Sequence, residues 1–253
     1  MKTEFASGEL WNGDCLELMQ DIPDKSIDMI LCDLPYGMTA NNWDKIIPLD
    51  KLFNEYVRIG KNDCMIVLTA QQPFTTDLIN AGRKYFKYEM IWDKVIAVQY
   101  LNAKKRPMSV HENILVFALG KNKYNPQGLV PCMKIKNKYS SANYGCAEGL
   151  NIQKVTNYPN TIVTYARYNK LNFHPTQKPV ELFEYLIRTY SNEEDIVLDN
   201  CSGAGTTAVA AHRSKRRWIC IEKDPTFYKK SVDYIQNEIR EADNSTTLLG
   251  FFK

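Results

Sequence analysis

The sequence contains seven cysteines but no C-x-x-C pair. An odd, scattered set of this kind argues against structural zinc and fits a reducing cytosol. No run approaches the roughly 18 consecutive apolar residues that a membrane-spanning helix needs. The first ten residues also lack the apolar core of a signal peptide. We therefore expect a soluble cytoplasmic protein with no metal site and no membrane contact.

The sequence also lacks a strong charge of either sign. Its 32 basic and 29 acidic residues give a net charge of +3, which is too small by itself to indicate a polyanionic partner. With 253 residues, 44% of them hydrophobic, the chain is long enough for one large α/β domain or for a domain with an inserted lobe. We expect a single domain over residues 1–253.

Short apolar runs alternate with helical patterns along the chain. The runs of strand length are residues 27–32, 65–69, 89–92, 114–118, 196–199 and 218–221. The helical patterns cover residues 48–59, 73–81, 179–190, 206–213 and 225–242. Strands that alternate with helices indicate an α/β fold with a mostly parallel sheet, whose two faces the helices cover. The residues after Glu241 are expected to form a tail.

Residues 119–172 break this pattern. No long amphipathic helix fits the segment, so we expect a small irregular insertion. Its cations are interleaved with aromatic rings: Lys121, Lys123, Lys134, Lys136, Lys138, Lys154, Arg167 and Lys170 with Tyr124, Tyr139, Tyr144, Tyr158, Tyr165 and Tyr168. Cations bind phosphates and aromatic rings stack on bases, so this composition suits a nucleic-acid surface. A solvated surface loop would have a similar composition.

The first apolar run stops at Asp33, which Leu34, Pro35 and Tyr36 follow. In an open α/β sheet, ligands bind beyond the carboxyl ends of the strands, so Asp33 and Tyr36 are expected to face a cleft. Pro35 fixes its own φ and favours an extended Leu34, which holds the carboxylate and the ring in a defined relation. The turn predicts a site for chemistry, although an ordinary strand end with a polar turn would look the same.

A glycine-rich turn follows the apolar run at 196–199. It reads C-S-G-A-G-T from Cys201, it precedes a helix start, and the next strand ends at Glu222. Small residues let a cofactor approach the backbone, and an acid at the end of the next strand can bind ribose hydroxyls. A Gly-x-Gly turn alone is a weak signal, but here strand, helix and acid occur in the expected order. The segment therefore predicts a nucleotide site.

Together these motifs resemble those of the DNA amino-methyltransferases. The Asp-Pro-Pro-Tyr signature of that family is present as D-L-P-Y at 33–36, and its Phe-x-Gly-x-Gly signature as C-S-G-A-G at 201–205. The segment H-P-T-Q-K-P at 174–179 and the pair Gly13-Asp14 match further elements of the β-ordered branch. The order of the motifs, catalytic half first and cofactor half last, is itself specific. The resemblance covers nearly the whole chain.

The resemblance implies a seven-stranded methyltransferase sheet and S-adenosylmethionine as cofactor. It assigns the methionine and sulfonium to Cys201, Gly203 and Gly205, the carboxylate to Thr176 and Lys178, the ribose to Glu222, and the adenine amino group to Asp14. The full set implied for the cofactor is Asp14, Cys32, Asp33, Thr176, Lys178, Asp199, Cys201, Gly203, Gly205, Thr206, Glu222 and Lys223. These side chains suit the roles, because a lysine offers a positive charge and ionised carboxylates accept hydrogen bonds.

The same resemblance implies methylation of an exocyclic amine in double-stranded DNA, with 33–36 as the catalytic residues. The amine is a poor nucleophile, because its lone pair is delocalised into the ring. The Asp33 carboxylate and the Leu34 carbonyl would accept the two amine hydrogens and orient the lone pair towards the methyl. Pro35 fixes the turn. The target base must leave the duplex, and Tyr36 would stack on it in the pocket.

Two positions depart from the family pattern. Leu34 replaces the usual proline, which keeps the backbone acceptor but loosens the turn. Cys201 replaces the usual phenylalanine, which changes packing against the cofactor. Neither change removes a required functional group, so the sequence still predicts an active enzyme.

Alternative activities remain open at this point. Aspartate at the first motif position favours adenine N6, whereas many cytosine-N4 enzymes carry serine there. A cytosine-C5 mechanism would need a nucleophile such as Cys132 beside Glu112, but it would leave the Asp33 motif unexplained. A DNA-binding relative without catalysis conflicts with the complete motif set. RNA or protein amine methylation usually uses a motif that begins with asparagine.

We expect residues 119–172, together with Lys104, Lys105 and Arg106, to select the DNA sequence. A chain of this size leaves a small recognition region. Dimerisation and a short target sequence are therefore alternatives, and the sequence does not decide between a bacterial and a phage-encoded origin.

Overall fold

The computed structural model describes residues 1–38, 41, 44–137, 150–166 and 177–250, and these form two units. The larger unit comprises Met1–Tyr124 and Thr161–Lys253, and the smaller one comprises Asn125–Asn160. Residues from both ends of the predicted insertion thus belong to the larger unit. No helix in the described ranges is long and apolar enough to cross a membrane.

A mixed sheet forms the centre of the larger unit. Its strands, in spatial order, are β1 (Lys2–Phe5), β2 (Gly8–Asn12), β11 (Arg217–Glu222), β10 (Ile196–Asp199), β3 (Ile27–Asp33), β4 (Gly60–Ala70), β6 (Ser109–Ala118), β5 (Phe86–Val98) and β9 (Ile162–Thr164). The pairs β1–β2, β4–β6 and β5–β6 are antiparallel and the others are parallel. The predicted mostly parallel sheet is confirmed.

The strand number differs from the expected seven. The described residues form nine strands in this sheet, because the short strands β1 and β9 extend its two edges. Both have side chains that alternate between exposed and half-buried, so neither has the apolar run that marks a central strand. Strand β9 also lies inside the segment that was expected to be irregular.

Helices cover both faces of the sheet. They are α1 (Cys15–Leu18), α2 (Leu49–Ile59), α3 (Phe74–Ala81), α4 (Val180–Tyr190), α5 (Thr206–Arg213) and α6 (Pro225–Gly250). Alternate residues of β3 point to opposite faces: Met29 and Leu31 pack with α4, α5 and α6, whereas Ile30 and Cys32 pack with α1, α2 and α3. The expected tail after Glu241 is wrong for the described residues, because α6 continues to Gly250.

The smaller unit contains a β-hairpin rather than wholly irregular chain. Strands β7 (Val130–Asn137) and β8 (Leu150–Thr156) pair antiparallel, with Ile135 opposite Ile152. Both isoleucine side chains are exposed. Among the described residues no second layer covers these two side chains, so burial does not require a continuous apolar run in this hairpin. Residues 138–149 lie outside the described ranges.

The direction of the strands fixes where functional side chains meet. Parallel strands β3, β10 and β11 end at Asp33, Asp199 and Glu222, so these three acids lie at one edge of the sheet. Strand β6 runs the opposite way, so it begins at this edge, with Glu112 in its first half. The carboxyl edge of the sheet is therefore lined with acidic groups.

Candidate active site

A cavity of about 830 Å³ lies along the carboxyl edge of the sheet. Most of the site residues expected from the sequence line it: Asp14, Asp33, Leu34, Pro35, Tyr36, Lys178, Asp199, Cys201, Gly203, Thr206, Glu222 and Lys223. Cys32 and Gly205 do not line it. Thr176 lies outside the described residues. The volume of the cavity is within the usual range for pockets that bind small molecules and cofactors.

Cys32 and Gly205 are placed behind the cavity wall. The Cys32 side chain is completely buried between β3 and the helices α1 to α3, because strand alternation turns it away from the cleft. Gly205 has a left-handed φ of 84°, and a Cβ there would lie 2.6 Å from the Ile235 side chain of α6. Glycine is thus required at position 205 by the left-handed backbone and by the close packing against α6.

Asp33 is the centre of a compact polar group. Its Oδ1 accepts a hydrogen bond from the Tyr36 hydroxyl at 2.6 Å and another from the Thr69 hydroxyl at the end of β4. Its Oδ2 lies 2.5 Å from the Lys178 ammonium. The Asp33 side chain is still 21% exposed, so the carboxylate remains accessible from the cavity.

The turn after Asp33 is held from both sides. Backbone N–H groups of Gly37 and Met38 donate to the Asp44 carboxylate at 2.8 and 2.9 Å. The Tyr36 ring packs on Phe74, with centroids 5.4 Å apart and planes inclined by 31°. Burial, followed by the negative charges of Asp33 and Glu112, raises the pKa of Tyr36 well above its usual range. Tyr36 is therefore a neutral hydrogen-bond donor at neutral pH.

A buried chain of alternating charges extends from Asp33. Lys178 also approaches Glu112, at 3.4 Å, and Glu112 in turn pairs with Lys94 of β5 at 3.2 Å. Burial alone would raise the pKa of Glu112, but Lys178 and Lys94 lower it. Burial alone would lower the pKa of Lys178, but Asp33 and Glu112 raise it. All these groups line the cavity, and their charges balance in pairs.

Sequence reasoning missed Thr69, Lys94 and Glu112 as members of this site. As a functional residue, Glu112 was considered only as the acid beside Cys132 in the cytosine-C5 alternative. Strand direction could have revealed Glu112. An antiparallel strand brings its first residues, not its last, to the edge where the parallel strands end. Thr69 and Lys94 lie near the ends of apolar runs, where nothing in the local pattern separates them from ordinary strand residues.

Hydrogen bonds to Asp199 stabilise the glycine turn. One carboxylate oxygen accepts from the backbone N–H of Cys201 at 3.0 Å, and the other accepts from the Thr207 hydroxyl at 2.5 Å. Burial raises the pKa of Asp199 to about 6. The carboxylate thus shapes the loop between β10 and α5, and through it the wall of the cavity formed by Gly203.

Glu222 and Asp14 mark the far end of the cavity. Glu222 accepts hydrogen bonds from the backbone N–H groups of Gly203, at 2.8 Å, and Asp224, at 2.7 Å, but burial raises its pKa to about 7. Asp14 caps α1 through the Leu16 N–H at 2.9 Å. Its other oxygen pairs with Lys223 at 2.9 Å.

The cavity thus combines two chemical environments. One end presents a carboxylate, a hydroxyl donor and an aromatic ring, which suit a planar group with an amine. The other end presents a glycine-rich wall and acidic acceptors, which suit a nucleoside with free hydroxyls. In the described part of the chain, the histidines, cysteines and acids form no group of three that could hold a metal ion.

Comparison with known proteins identifies the family. The sequence profile of the DNA methylases of the N6/N4 type matches residues 27–233. The chain belongs to this DNA methylase family. Among its relatives, the DNA adenine methyltransferase YhdJ of Escherichia coli (strain K12) is 30% identical over 243 residues, which cover 87% of this chain and 80% of that protein. The type II methyltransferase M.HpaI of Haemophilus parainfluenzae is 27% identical, covering 91% of this chain and 75% of its own.

Solved structures of methyltransferases share the fold. The M1.HpyAVI–SAM complex has a TM-score of 0.63 and 21% identity, and covers 90% of this chain and 99% of its own. The cytosine-N4-specific PvuII DNA methyltransferase has a TM-score of 0.63 and 15% identity, covering 94% and 93% of the two chains. The mixed sheet with helices on both faces is therefore the methyltransferase fold, as the sequence predicted.

Proposed function

We propose that this DNA methylase transfers a methyl group from S-adenosylmethionine to the N6 amine of adenine in double-stranded DNA. The proposal rests on one observation: a single cavity is lined by Asp33 and Tyr36 and also by Glu222 and Asp14. The relative YhdJ, named a DNA adenine methyltransferase, supports the choice of adenine. The relatives named above come from bacteria, which supports action of this chain on DNA in a bacterial cytoplasm.

The residues at the Glu222 end fit the nucleoside part of S-adenosylmethionine. The Glu222 carboxylate is fixed by two backbone N–H groups, so its remaining acceptor positions have a defined direction for the ribose hydroxyls. Asp14 is fixed by the Leu16 N–H and Lys223, and we assign it to the adenine amino group. When bound, S-adenosylmethionine supplies a methyl group on a positively charged sulfur, which is the chemistry of the cofactor.

The residues at the Asp33 end act on the target base. The Asp33 carboxylate and the Leu34 carbonyl accept the amine hydrogens, which orients the nitrogen lone pair and stabilises the charge that develops on the amine. Tyr36 holds the carboxylate through its hydroxyl and offers its ring to the base. Positioning and electrostatics therefore supply most of the rate increase, and no covalent intermediate on the enzyme is needed.

Lys178 takes a second role in this scheme. Its ammonium lies against Asp33, so it balances the charge of the catalytic carboxylate before the amine arrives. The amine needs acceptor positions on Asp33, and Oδ2 is engaged by Lys178. Transfer of the Lys178 ammonium to the cofactor carboxylate would free a further position, in keeping with the role that the family resemblance assigns to Lys178.

Target recognition is assigned to residues 119–172, assisted by Lys104, Lys105 and Arg106. The described part of this segment supplies exposed cations such as Lys134 and Lys154 on the β7–β8 hairpin. A two-stranded ribbon has the width to enter a major groove. A homodimer is the alternative to one copy on the target. Sedimentation of the protein with and without DNA measures which of the two binds.

The proposed function is tested by methylating amplified, unmodified genomic DNA in vitro. Nucleoside mass spectrometry of the product is expected to show N6-methyladenine, and single-molecule sequencing is expected to locate it at one short sequence. Detection of N4-methylcytosine alone would replace adenine by cytosine as the target. Absence of any methylated base, with S-adenosylmethionine bound, would indicate a DNA-binding relative without catalysis.

A further inference from the structure

The loop between β5 and β6 exposes large apolar side chains. Tyr100 is 78% exposed and Leu101 is 95% exposed, which makes Leu101 the most exposed of the large apolar residues in the described chain. Val95 and Ile96, just before them, are also more than half exposed. Exposed apolar groups that cluster on a soluble domain commonly mark an interaction surface.

This loop has a fixed shape. Gln99 adopts a left-handed φ of 69°, and Tyr100–Asn102 form one short 3-10 turn after it. The backbone closes on itself, because Asn102 N–H donates to Gln99 O at 2.9 Å and Arg106 N–H donates to Asn102 O at 3.0 Å. The Arg106 guanidinium also binds the Gln99 side chain. Tyr100 and Leu101 are thus presented at the tip of a preorganised turn.

The turn lies at the mouth of the proposed catalytic cavity. Val98 and Gln99 line the same cavity as Asp33 and Tyr36, and the exposed tip follows them directly in the chain. Three cations, Lys104, Lys105 and Arg106, come next, and all three residues are exposed. An apolar tip followed by cations suits a duplex, whose stacked bases are apolar and whose backbone is anionic.

We infer that Tyr100 and Leu101 form a wedge that enters the DNA base stack at the position the target base leaves. The inference rests on the proposed function. A base that turns out of the duplex leaves its neighbours unstacked, which is a main cost of reaching the amine. Apolar side chains inserted at that step offset the lost stacking. Lys104 and Lys105 bind the adjacent phosphates and hold the turn in place.

A second copy of the chain is a less suitable partner for this surface. The tip is small compared with the roughly 800 Å² per partner that a stable protein interface buries. The exposed cations beside it would also lie close to those of a second copy, and like charges repel.

The wedge is tested with two duplexes that contain the recognition sequence mapped for the wild-type enzyme. In one, the target base is paired, and in the other it faces an abasic position, so that less stacking and pairing is lost on flipping. For Tyr100→Ala/Leu101→Ala, the single-turnover rate should fall about tenfold or more on the paired duplex and be restored to within about threefold on the abasic one. Fluorescence of 2-aminopurine at the target should fall in parallel on the paired duplex.

Three controls separate the wedge from other roles. Tyr100→Phe/Leu101→Met keeps apolar bulk and should keep wild-type rates, and Lys104→Ala/Lys105→Ala should weaken both duplexes alike with a smaller salt dependence. Calorimetry with S-adenosylmethionine should give wild-type affinity for every variant, which confirms folding. If the double alanine variant does not fold, Leu101→Ser alone is measured in the same way.

Three results would overturn the wedge. They are a wild-type rate for the alanine variant on the paired duplex, an equal loss on both duplexes, or a wild-type dimer in sedimentation that the variant abolishes. Failure of the proposed function is a separate outcome, because the wild-type enzyme would then methylate no DNA and no site would be mapped.

Discussion

The Asp33 carboxylate accepts hydrogen bonds within the protein and is also proposed to accept those of the substrate amine. In the structure its oxygens are engaged by Tyr36, Thr69 and Lys178, which holds the group in one orientation at the end of β3. The proposed reaction needs the same oxygens to accept an amine. A preorganised acceptor costs little reorganisation when charge develops, so holding the carboxylate in advance favours catalysis.

Glu222 gives the site a pH dependence. Burial raises its pKa to about 7, and ribose hydroxyls are bound best by the ionised carboxylate. Binding of S-adenosylmethionine should therefore release protons, and its affinity should rise between about pH 6 and pH 8 and then level off. Calorimetry in buffers of different ionisation enthalpy measures both effects.

The Glu222→Gln variant is the control for this pH dependence. It should bind more weakly, because the amide cannot accept from both backbone N–H groups, and its affinity should no longer rise with pH. In the wild type without cofactor, the folded state keeps a proton on Glu222 that the unfolded chain has lost, so the free energy of unfolding should fall as pH rises from about 5 to 7. A flat affinity profile for the wild type would contradict the ribose assignment.

Strand β6 links the fold to the catalytic residues. Because it is antiparallel, it places Glu112 beside the ends of the parallel strands, where Glu112 joins Lys94 of β5 to Lys178 before α4. The pairing holds charged groups of three separate segments in one buried chain. Removal of one member of such a chain leaves a buried charge without its partner, which is more costly than removal of a pair.

A double-mutant cycle at Lys94 and Glu112 tests this element. Glu112→Leu alone should lower the free energy of unfolding by about 3–5 kcal/mol, and Lys94→Met/Glu112→Leu should cost clearly less than the sum of the single changes. Urea unfolding measures all four proteins. The pair Arg58–Asp24, 2.6 Å apart and more exposed than Lys94–Glu112, is the matched control, with an expected coupling of under about 1 kcal/mol. Additive losses at Lys94 and Glu112 would show that the pair is not coupled.

Much of the fold could be predicted from the sequence because buried parallel strands have continuous apolar runs. All six predicted strands lie within strands of the structure, and the five predicted helices match five of its helices, three of which begin one residue later than expected. The strands β4, β5 and β6 and the helix α6 extend further than expected. The short strand β1 was missed, because its side chains are at most half-buried. Strands β7 and β8 were missed because the facing side chains of Ile135 and Ile152 are exposed, so burial selects no apolar pattern there.

The site could be predicted to the extent that its chemistry resides in contiguous motifs. Asp33, Tyr36 and Glu222 each end or follow an apolar run, so their position at the carboxyl edge follows from strand direction. The contact between Lys178 and Asp33 could not be predicted in the same way. It joins residues 145 positions apart, and its geometry depends on how the segment before α4 crosses the end of β3.

For the molecule as a whole, the catalytic cavity and the hairpin proposed to read the DNA lie in different units of the chain. The cavity is built from the larger unit, whereas the β7–β8 hairpin belongs to the smaller one. The net charge of the whole chain, +3, conceals this division, because the smaller unit has four lysines and one glutamate in its sequence. A local excess of cations is what a phosphate backbone attracts.

The recognition assignment predicts a salt effect. Lys134→Ala/Lys154→Ala should weaken duplex binding and reduce the slope of log affinity against log salt by about 2, since each phosphate contact contributes about 0.9. The affinity for S-adenosylmethionine should stay unchanged. Fluorescence anisotropy over a salt series measures the slope.

The matched control for this salt effect is Lys25→Ala/Lys215→Ala. It removes two exposed cations that precede β3 and β11 at the amino edge of the sheet, so the slope should stay that of the wild type. Equal slopes for both pairs of substitutions would contradict DNA binding by the hairpin.

The central claim is that Asp33 orients the amine for methyl transfer. Its most direct test compares the wild type, Asp33→Ala and the exposed-surface control Asp24→Ala on amplified genomic DNA, with modified bases mapped by sequencing and cofactor binding followed by calorimetry. We expect N6-methyladenine at one short sequence for the wild type and Asp24→Ala, and at least about a hundredfold lower rate for Asp33→Ala with S-adenosylmethionine still bound. Methylation by Asp33→Ala at the wild-type rate would contradict the role of Asp33.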